Sequence, residues 1–219
     1  MTVQLNQSMD MIENENITKF ESEDFIGIWP NFIPKNRCDA IIEYYEEVRK
    51  NSSLIGYAGV DTKSNYIVDG TSQFSEGSLG RKDESLSLNY SNPTLNNEVN
   101  EYLNSCVHYY VKKYDQLLNN KFISQHTKLQ KTPPGGGYHV WHYENEGFTY
   151  DNRRLTWMIY LNDMPEGEAE TEFLYQRRRI RPTVGTVVVW PAGFTHVHKG
   201  NTVFTQDKYI LTGWYVIVP

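Results

Sequence analysis

Residues 126–144 read HTKLQKTPPGGGYHVWHYE, and this stretch decides the fold. Two strand-like segments flank a turn of two prolines and three glycines, residues that end strands and helices. Side chains alternate across a strand, so His142 and Glu144 are expected to share one face of the second segment. A small ion can be held between an imidazole and a carboxylate placed in this way.

The strand pattern continues to the end of the chain. Short runs of strand-forming residues alternate with turns rich in Pro, Gly and Asp, such as 163–167 and 191–193. Several short strands with regular turns are typical of a sandwich or jelly roll. The predicted strands are 126–131, 138–144, 154–161, 171–175, 184–190 and 207–218.

The first half of the chain predicts two helices. Apolar residues recur at helical spacing over 36–50 and over 92–114, and Pro93 suits the first turn of the second helix. Between them, residues 51–90 are rich in Ser, Gly, Asn and Asp, which predicts long loops with one or two short strands and leaves open a closing lid. Helices followed by an all-β core predict an α+β fold.

A chain of 219 residues is long enough for one domain with its own core, and no linker divides it. We therefore predict a single domain over 1–219. Its expected parts are a flexible or edge segment at 1–20, a region of helical support and substrate loops at 21–120, and the jelly-roll core at 121–219.

Composition and net charge disfavour two classes of partner, nucleic acids and membranes. The net charge of -6 disfavours a nucleic-acid partner, and no apolar run approaches the length of a membrane span, so no membrane partner is expected. Residues 1–16 lack the apolar stretch of a signal peptide, and the two cysteines, Cys38 and Cys106, form no disulfide framework. A cytoplasmic location fits these features best. The one basic cluster, Arg177 to Arg179 with Arg181, is either a solvated face or a rim that attracts an acidic substrate.

A third ligand for an ion between His142 and Glu144 has to come from another strand. His196 and His198 share a face if their strand is regular, so geometry leaves both open, and the spacing to Lys208 favours His198. Two imidazoles and one carboxylate suit Fe(II) and leave three positions for a bidentate cosubstrate and O2. His196 is then either a residue that orients a ligand or an ordinary hydrogen-bonded histidine. The alternative is a surface strand with polar residues, because a His-x-Glu triplet also arises by chance.

Lys208 lies in a segment of strong strand formers that ends near Val216. A cation buried in such a strand is costly without an anion, so Lys208 is a candidate partner for a cosubstrate carboxylate. The alternative is an exposed lysine at the start of the strand.

The chain resembles the prolyl-4-hydroxylase-like branch of the 2-oxoglutarate- and Fe(II)-dependent dioxygenases, in the form of its short bacterial and phage-borne members. The resemblance covers about residues 126–218 and extends loosely to the predicted helices. Each motif is weak alone, but together and in order they are specific. They are Leu129-Gln130 before the glycine-rich turn, Tyr138, His142-x-Glu144, Arg153-Arg154-Leu155-Thr156, Ile159-Tyr160-Leu161-Asn162, Glu170-Thr171-Glu172-Phe173, Pro182-Thr183-Val184-Gly185-Thr186, Trp190-Pro191, His198-Lys199-Gly200, Lys208-Tyr209 and Trp214.

The resemblance implies a double-stranded β-helix, or jelly roll, with a defined reaction. O2 is split, so that one atom enters the succinate formed when 2-oxoglutarate loses CO2 and the other hydroxylates a C–H bond. The implied cofactors are Fe(II), 2-oxoglutarate and O2, with ascorbate as a candidate supporting reductant. The implied catalytic and metal-binding residues are His142, Glu144 and His198, and those on the cosubstrate are Lys208, Tyr160, Thr156 and Trp214.

The substrate implied by the resemblance is a peptidyl prolyl residue or another peptide side chain. Candidate substrate contacts are Tyr138, Trp141, Arg153, Arg81 and Asp83, although solvent exposure is the first expectation for the last two. Two alternatives remain: the same chemistry on a free amino acid, small metabolite or nucleobase, and a non-catalytic metal-binding jelly-roll module.

The chain departs from the family pattern at four positions. Glu144 stands where Asp is usual, and Thr132 stands where a tyrosine often contacts the cosubstrate. Lys208 replaces the Arg of many relatives, so a point charge takes the place of a bidentate fork. The usual Gly-Gly-Glu-Thr is Glu-Ala-Glu-Thr at 168–171.

Overall fold

The computed structural model describes residues 17–18, 20–51, 54–58, 67–68, 71–72 and 80–218. The segment expected to be mobile at the N-terminus lies outside these residues, except for its last few positions. Much of 51–90, the region for which a closing lid was left open, also lies outside them. Among the described residues, no helix combines the length and the apolar character needed to cross a membrane.

The described chain contains fourteen strands and three α-helices. The strands are β1 (Glu21–Glu23), β2 (Ile26–Trp29), β3 (Gly56–Ala58), β4 (Ile67–Val68), β5 (Thr71–Ser72), β6 (Arg81–Ser87), β7 (Lys121–Thr132), β8 (Gly137–His142), β9 (Arg153–Tyr160), β10 (Thr171–Phe173), β11 (Arg178–Ile180), β12 (Val187–Pro191), β13 (His198–Gly200) and β14 (Lys208–Val218). The helices are α1 (Lys35–Asn51), α2 (Leu88–Ser91) and α3 (Pro93–Lys113).

Antiparallel pairing joins most of these strands into one curled sheet. Its order is β1-β2-β12-β9-β14-β7-β6-β8-β13-β10-β11, with β3 on the other edge of β6, while β4 and β5 pair separately. The pairing of β6 with both β7 and β8 connects the large face of the sheet to the small face formed by β8, β13, β10 and β11. A mostly antiparallel sheet that curls back on itself in this way forms a jelly-roll core.

Successive side chains of β9 and β12 point to opposite faces of the sheet and belong to two different hydrophobic clusters. Trp157, Ile159 and Val187 belong to the larger cluster, which also holds buried side chains from α1 and α3, among them Cys38, Ile41, Leu103 and Val107. Tyr160 and Val188 point the other way, into a smaller cluster with Phe173, Trp190 and Ile210 inside the jelly roll. Each fully buried side chain of this size contributes about 1.5–3 kcal/mol relative to an exposed one.

Strand β14 contributes side chains to both hydrophobic clusters. Its Tyr209, Leu211 and Tyr215 lie in the cluster that includes the helices. The Tyr209 hydroxyl donates a 2.6 Å hydrogen bond to Glu46 of α1, and Lys131 of β7 reaches the same carboxylate at 2.8 Å. The alternate side chains of β14 face the interior of the jelly roll.

Several expected boundaries were wrong. The strand expected at 138–144 ends at His142, so Glu144 lies in the following turn, where its N–H donates to the carbonyl of Ala192 at 2.9 Å. The strand expected at 184–190 begins only at Val187, because Gly185 adopts a φ of 74° in the turn before it. Within 51–90, where long loops with one or two short strands were expected, the described residues form four strands, and the seven-residue β6 pairs with both β7 and β8.

Candidate active site

Three side chains meet between two paired strands of the small face. His142 ends β8 and His198 begins β13, and the two residues are direct partners in the ladder. Glu144 follows in the turn after β8. Its Oε1 lies 3.5 Å from Nε2 of His142 and 3.5 Å from Nε2 of His198. One ligand atom from each residue falls within 4.8 Å of the others, so a single ion can contact all three.

Both imidazoles are oriented by backbone carbonyls. Nδ1 of His142 lies 2.9 Å from the carbonyl oxygen of Val140, and Nδ1 of His198 lies 2.9 Å from that of His196. A carbonyl can only accept a hydrogen bond, so the proton resides on Nδ1 in each ring. Nε2 is therefore left with a free lone pair directed at the shared centre, which is the tautomer that a metal ligand requires.

The Glu144 carboxylate is held on its other oxygen. The indole Nε1 of Trp214 donates a 2.9 Å hydrogen bond to Oε2, and Arg153 Nη1 lies 3.6 Å from the same atom. Burial alone raises the pKa of Glu144, but hydrogen bonds and charge from His142 and His198, which act when Nε2 carries a proton in the metal-free site, outweigh burial and hold this pKa well below its ordinary value. The carboxylate is thus an anion with Oε1 free to bind a cation.

A cavity of about 300 Å³ extends from these three residues into the jelly roll. Lys208 lines it and is 6% exposed, with Nζ donating a 2.6 Å hydrogen bond to the carbonyl of Ala169. Burial lowers the pKa of Lys208 to about 8, and nearby Glu170 only partly offsets this effect. Within the described ranges no carboxylate lies in ion-pair contact with Lys208, so this cation can accept a carboxylate from a ligand.

The donor set and the buried lysine fit an Fe(II) ion and a dicarboxylate. Residues 127–216 match the family model described as the 2OG-Fe(II) oxygenase superfamily. This segment belongs to the 2OG-Fe(II) oxygenase superfamily. The cofactors of the oxygenase are accordingly Fe(II), 2-oxoglutarate and O2, and the expectation from the sequence is confirmed.

Solved structures of prolyl hydroxylases share the fold of the oxygenase. The viral collagen prolyl hydroxylase of Paramecium bursaria Chlorella virus-1, in its 2OG complex, is 17% identical, with 89% of this chain and 97% of that chain covered and a TM-score of 0.59. The Pseudomonas putida prolyl-4-hydroxylase is 16% identical, with coverage of 89% and 94% and a TM-score of 0.63. The Trichoplax adhaerens prolyl hydroxylase, in complex with a hypoxia inducible factor peptide fragment, is 16% identical, with coverage of 95% and 96% and a TM-score of 0.65. No curated protein matches the chain.

Two residues predicted on the cosubstrate lie behind the wall of the oxygenase cavity. The Tyr160 hydroxyl donates a 2.7 Å hydrogen bond to Oγ1 of Thr171, and it is Thr171 that lines the cavity. Burial raises the pKa of Tyr160, so its hydroxyl stays protonated. Thr156 is also fully buried and does not line the cavity, and its Oγ1 has no hydrogen-bond partner among the described residues.

Four of the five predicted substrate contacts line the cavity of the oxygenase. The Tyr138 ring stacks on His142 with centroids 3.9 Å apart, and the Arg81 guanidinium lies 5.0 Å from the centre of the Tyr138 ring. Arg81 also pairs with Asp83, which is 7% exposed, so the expected solvent exposure of Asp83 was wrong.

The other two predicted contacts lie apart from each other. Arg153 lines the cavity and stacks on Trp214, with Cζ 3.6 Å from the ring centre. Trp141 is 36% exposed and does not line the cavity, because odd and even positions of β8 point to opposite faces. The Lys199 ammonium lies 4.6 Å from the Trp141 ring centre instead.

His196 does not share a strand face with His198, because the two residues do not lie in one regular strand. It ends a 3-10 helix, Phe194–His196, and its Nε2 lies 2.8 Å from the carbonyl oxygen of Asp24. Its ring is thus turned to the β1–β2 loop, while its backbone carbonyl orients the His198 imidazole. This contribution comes from the main chain, so the type of side chain at this position gives no indication of it.

The basic cluster around Arg178 does not line the cavity. Arg178 lies near Glu21 and Glu23, at 3.6 Å and 3.8 Å, and Arg179 pairs with Glu172 at 3.2 Å. Arg181 donates to a backbone carbonyl. These contacts place the cluster on a surface that contacts β1 and β10.

Sequence reasoning missed several cavity residues. Lys128, Gln130 and Thr132 occupy alternate positions of β7 and line the cavity together. Their two-residue period ahead of the glycine-rich turn was the available signal, but it does not show which strand β7 pairs with. Thr171 stood inside a quoted motif without an assigned role.

Proposed function

We propose that the chain hydroxylates a C–H bond of a peptidyl prolyl residue, or of another peptide side chain, and converts 2-oxoglutarate to succinate and CO2. One observation carries this proposal: the two free imidazole nitrogens and the free carboxylate oxygen open into the same cavity as an uncompensated buried lysine. The first set suits Fe(II), and the lysine suits the far carboxylate of a keto acid.

In this proposal His142 and His198 bind Fe(II) through Nε2, and Glu144 binds it through Oε1. With Fe(II) and 2-oxoglutarate bound, the centre supplies oxidative decarboxylation and C–H hydroxylation by O2. The protein keeps the ligand atoms in place before the metal arrives, because carbonyls fix both rings and Trp214 fixes the carboxylate. Pre-oriented ligands lose less freedom on binding.

Lys208 is proposed to pair with the distal carboxylate of 2-oxoglutarate. Thr171 and Thr132 line the same cavity, and Thr132 is the register partner of Lys208 across β7 and β14. Tyr160 acts through Thr171, since its hydroxyl fixes the direction in which the Thr171 oxygen can accept or donate. Thr156 contributes to packing behind this wall.

Two observations support a peptide substrate: a structurally similar protein in complex with a peptide, and the residues around the cavity of this chain. The Trichoplax adhaerens prolyl hydroxylase is described in complex with a peptide fragment of hypoxia inducible factor. In this chain Tyr138, Tyr150 and Arg153 line the cavity, and the aromatic side chains of Phe148 and Tyr150 in the 3-10 segment Phe148–Tyr150 are exposed. We also propose that 1–219 forms one domain in which α1 and α3 support the jelly roll.

The test is an anaerobic titration of metal-free protein with Fe(II) and then with 2-oxoglutarate, followed by visible absorbance. Chelation of Fe(II) by the keto acid gives a weak charge-transfer band, which is expected in the wild type and absent in His142→Ala and His198→Ala. The matched control is His108→Ala, a histidine of α3 that does not line the cavity. If iron binds but no band forms, the chain is a metal-binding jelly roll without this cosubstrate. Turnover of 2-oxoglutarate that no peptide ever stimulates would contradict the peptide substrate.

A further inference from the structure

The cavity has a second cationic region at the end where Trp214 lies. Lys128 and Arg153 both line the cavity and both contact the Trp214 indole, with Nζ of Lys128 4.9 Å and Cζ of Arg153 3.6 Å from a ring centre. The same indole donates to Glu144. Two cations are therefore gathered around the residue that holds the metal-binding carboxylate.

This region is separate from the position of Lys208. Lys208, Ile210, Thr212 and Trp214 line the cavity as alternate residues of β14. Lys128 is the register partner of Thr212, four residues along the strand from Lys208, which is about 13 Å of strand. A five-carbon dicarboxylate is only about 5 Å long between its carboxyl carbons. The molecule held at Lys208 therefore leaves the Lys128 region free.

The positive charge at the Trp214 end exceeds the negative charge that the described chain places beside it. Arg81 is paired with Asp83, whereas Lys128 forms no ion pair with a described carboxylate. Nε of Arg153 is buried without a hydrogen-bond partner among the described residues. The Glu144 carboxylate lies 3.6 Å from Arg153, but this single charge also faces the proposed metal site, so it does not neutralise both Arg153 and Lys128.

The direction of the pKa shift of Lys128 agrees with this excess of positive charge. Burial lowers the pKa of Lys128, the neighbouring Arg81 lowers it further, and Glu144 and Asp83 only partly oppose this effect. A cation kept in a desolvated site beside other cations is unfavourable, and a bound anion removes that cost.

We propose that Lys128, assisted by Arg153, binds a carboxylate of the substrate beside the carbon that is hydroxylated. This inference rests on the proposed function, because it assigns the substrate of that same site. The carboxylate belongs either to an acidic residue next to the target in a peptide or to the target itself as a free amino acid. Tyr138, stacked on His142 beneath Arg81, forms the aromatic wall of the same region.

The experiment uses protein loaded anaerobically with Fe(II) and 2-oxoglutarate. Two pairs of probes are added, each differing only in charge: proline with prolinamide, and Ac-Pro-Asp-NH2 with Ac-Pro-Asn-NH2. Their dissociation constants are read from the change in the charge-transfer band. In at least one pair the carboxylate is expected to bind about tenfold more tightly than the amide, which is the size of one hydrogen bond to a charged group. The pair that shows the preference identifies the source of the carboxylate.

The variant Lys128→Met keeps the length of the side chain and removes its charge. It is expected to abolish the carboxylate preference, whereas Lys50→Met, at an exposed position of α1, retains it. Circular dichroism and the Tm establish that both variants are folded, and Lys128→Gln provides a second neutral variant. The inference is overturned if neither carboxylate probe binds better than its amide, or if Lys128→Met keeps the preference. A missing band in the wild type instead contradicts the proposed function itself.

Discussion

Trp214 and Glu144 are joined by a 2.9 Å hydrogen bond from the indole Nε1 to Oε2, although 70 residues separate them in the chain. The indole takes one carboxylate oxygen, so that the other is left 3.5 Å from both imidazole Nε2 atoms. This contact joins Trp214 to a proposed metal ligand, and the place on the cosubstrate that the sequence suggested for Trp214 stays a prediction.

Trp214→Phe is expected to weaken Fe(II) binding by about tenfold or more, because hydrogen bonds to metal ligands from surrounding residues typically contribute that much. The ring is kept, so packing changes little, but Oε2 loses its donor. Anaerobic competition against a coloured Fe(II) chelator measures the affinity. Trp141→Phe, on the outer face of β8, serves as the control and should bind iron like the wild type. Equal affinity in Trp214→Phe and wild type would show that Glu144 needs no such anchor.

Lys208→Met is expected to raise the Kd for 2-oxoglutarate by about tenfold to a hundredfold, since one charge-assisted hydrogen bond to the distal carboxylate is lost. Fe(II) binding should be unchanged, because Lys208 is not one of the three ligand residues. Titration of the charge-transfer band at fixed iron gives both quantities. A variant that binds the keto acid normally would remove Lys208 from the cosubstrate site.

The affinity for 2-oxoglutarate is expected to fall as pH rises through about 8. The pKa of Lys208 is lowered to about 8 from an ordinary 10.5, so the ammonium is present below that pH and is lost above it. Between pH 7 and 9 the Kd should rise by about tenfold, following the protonated fraction. Band titrations at several pH values measure this change.

Rising pH has the opposite effect on the stability of the cosubstrate-free protein. Between pH 8 and 10.5 the unfolded chain holds more protons at this lysine than the folded chain, so Lys208 makes the cosubstrate-free protein more stable as pH rises through that window. Lys208→Arg keeps its charge throughout, and its 2-oxoglutarate affinity should be flat over the same range. A flat profile in the wild type would contradict the assignment.

Gly185→Ala is expected to destabilise the fold more than Gly167→Ala. Both glycines have positive φ, 74° and 87°, where any other L-residue costs about 1–2 kcal/mol. A Cβ at Gly185 would also overlap the carbonyl oxygen of Ile33, while a Cβ at Gly167 meets nothing within 4 Å. Chemical denaturation of the two variants compares the free energies of unfolding, and equal losses would refute the steric contribution.

Much of this architecture was accessible from the sequence because it depends on local patterns. Alternating apolar residues predicted the long strands β7, β9 and β14, and helical spacing predicted α1 and α3 to within about two residues at each end. His142, Glu144 and His198 were selected by ligand chemistry and spacing, and the structure brings their ligand atoms together. Their role in catalysis stays a proposal.

The remaining features depend on contacts between distant segments. Glu144 reaches its position because its N–H pairs with Ala192, not because a strand continues. Asp83 and Lys128 become cavity residues only through the pairing of β6 with β7 and β8, which no local period specifies. The carbonyl of His196 acts through the main chain, so its side chain gives no indication of it.

Strand β14 lies between the cavity and the hydrophobic cluster that includes the helices. Lys208 faces the cavity, and the next residue, Tyr209, is hydrogen-bonded to Glu46 of α1. A sideways or rotational shift of α1 therefore acts directly on the residue adjacent to Lys208. The helix layer and the cavity are mechanically coupled through two consecutive residues of one strand.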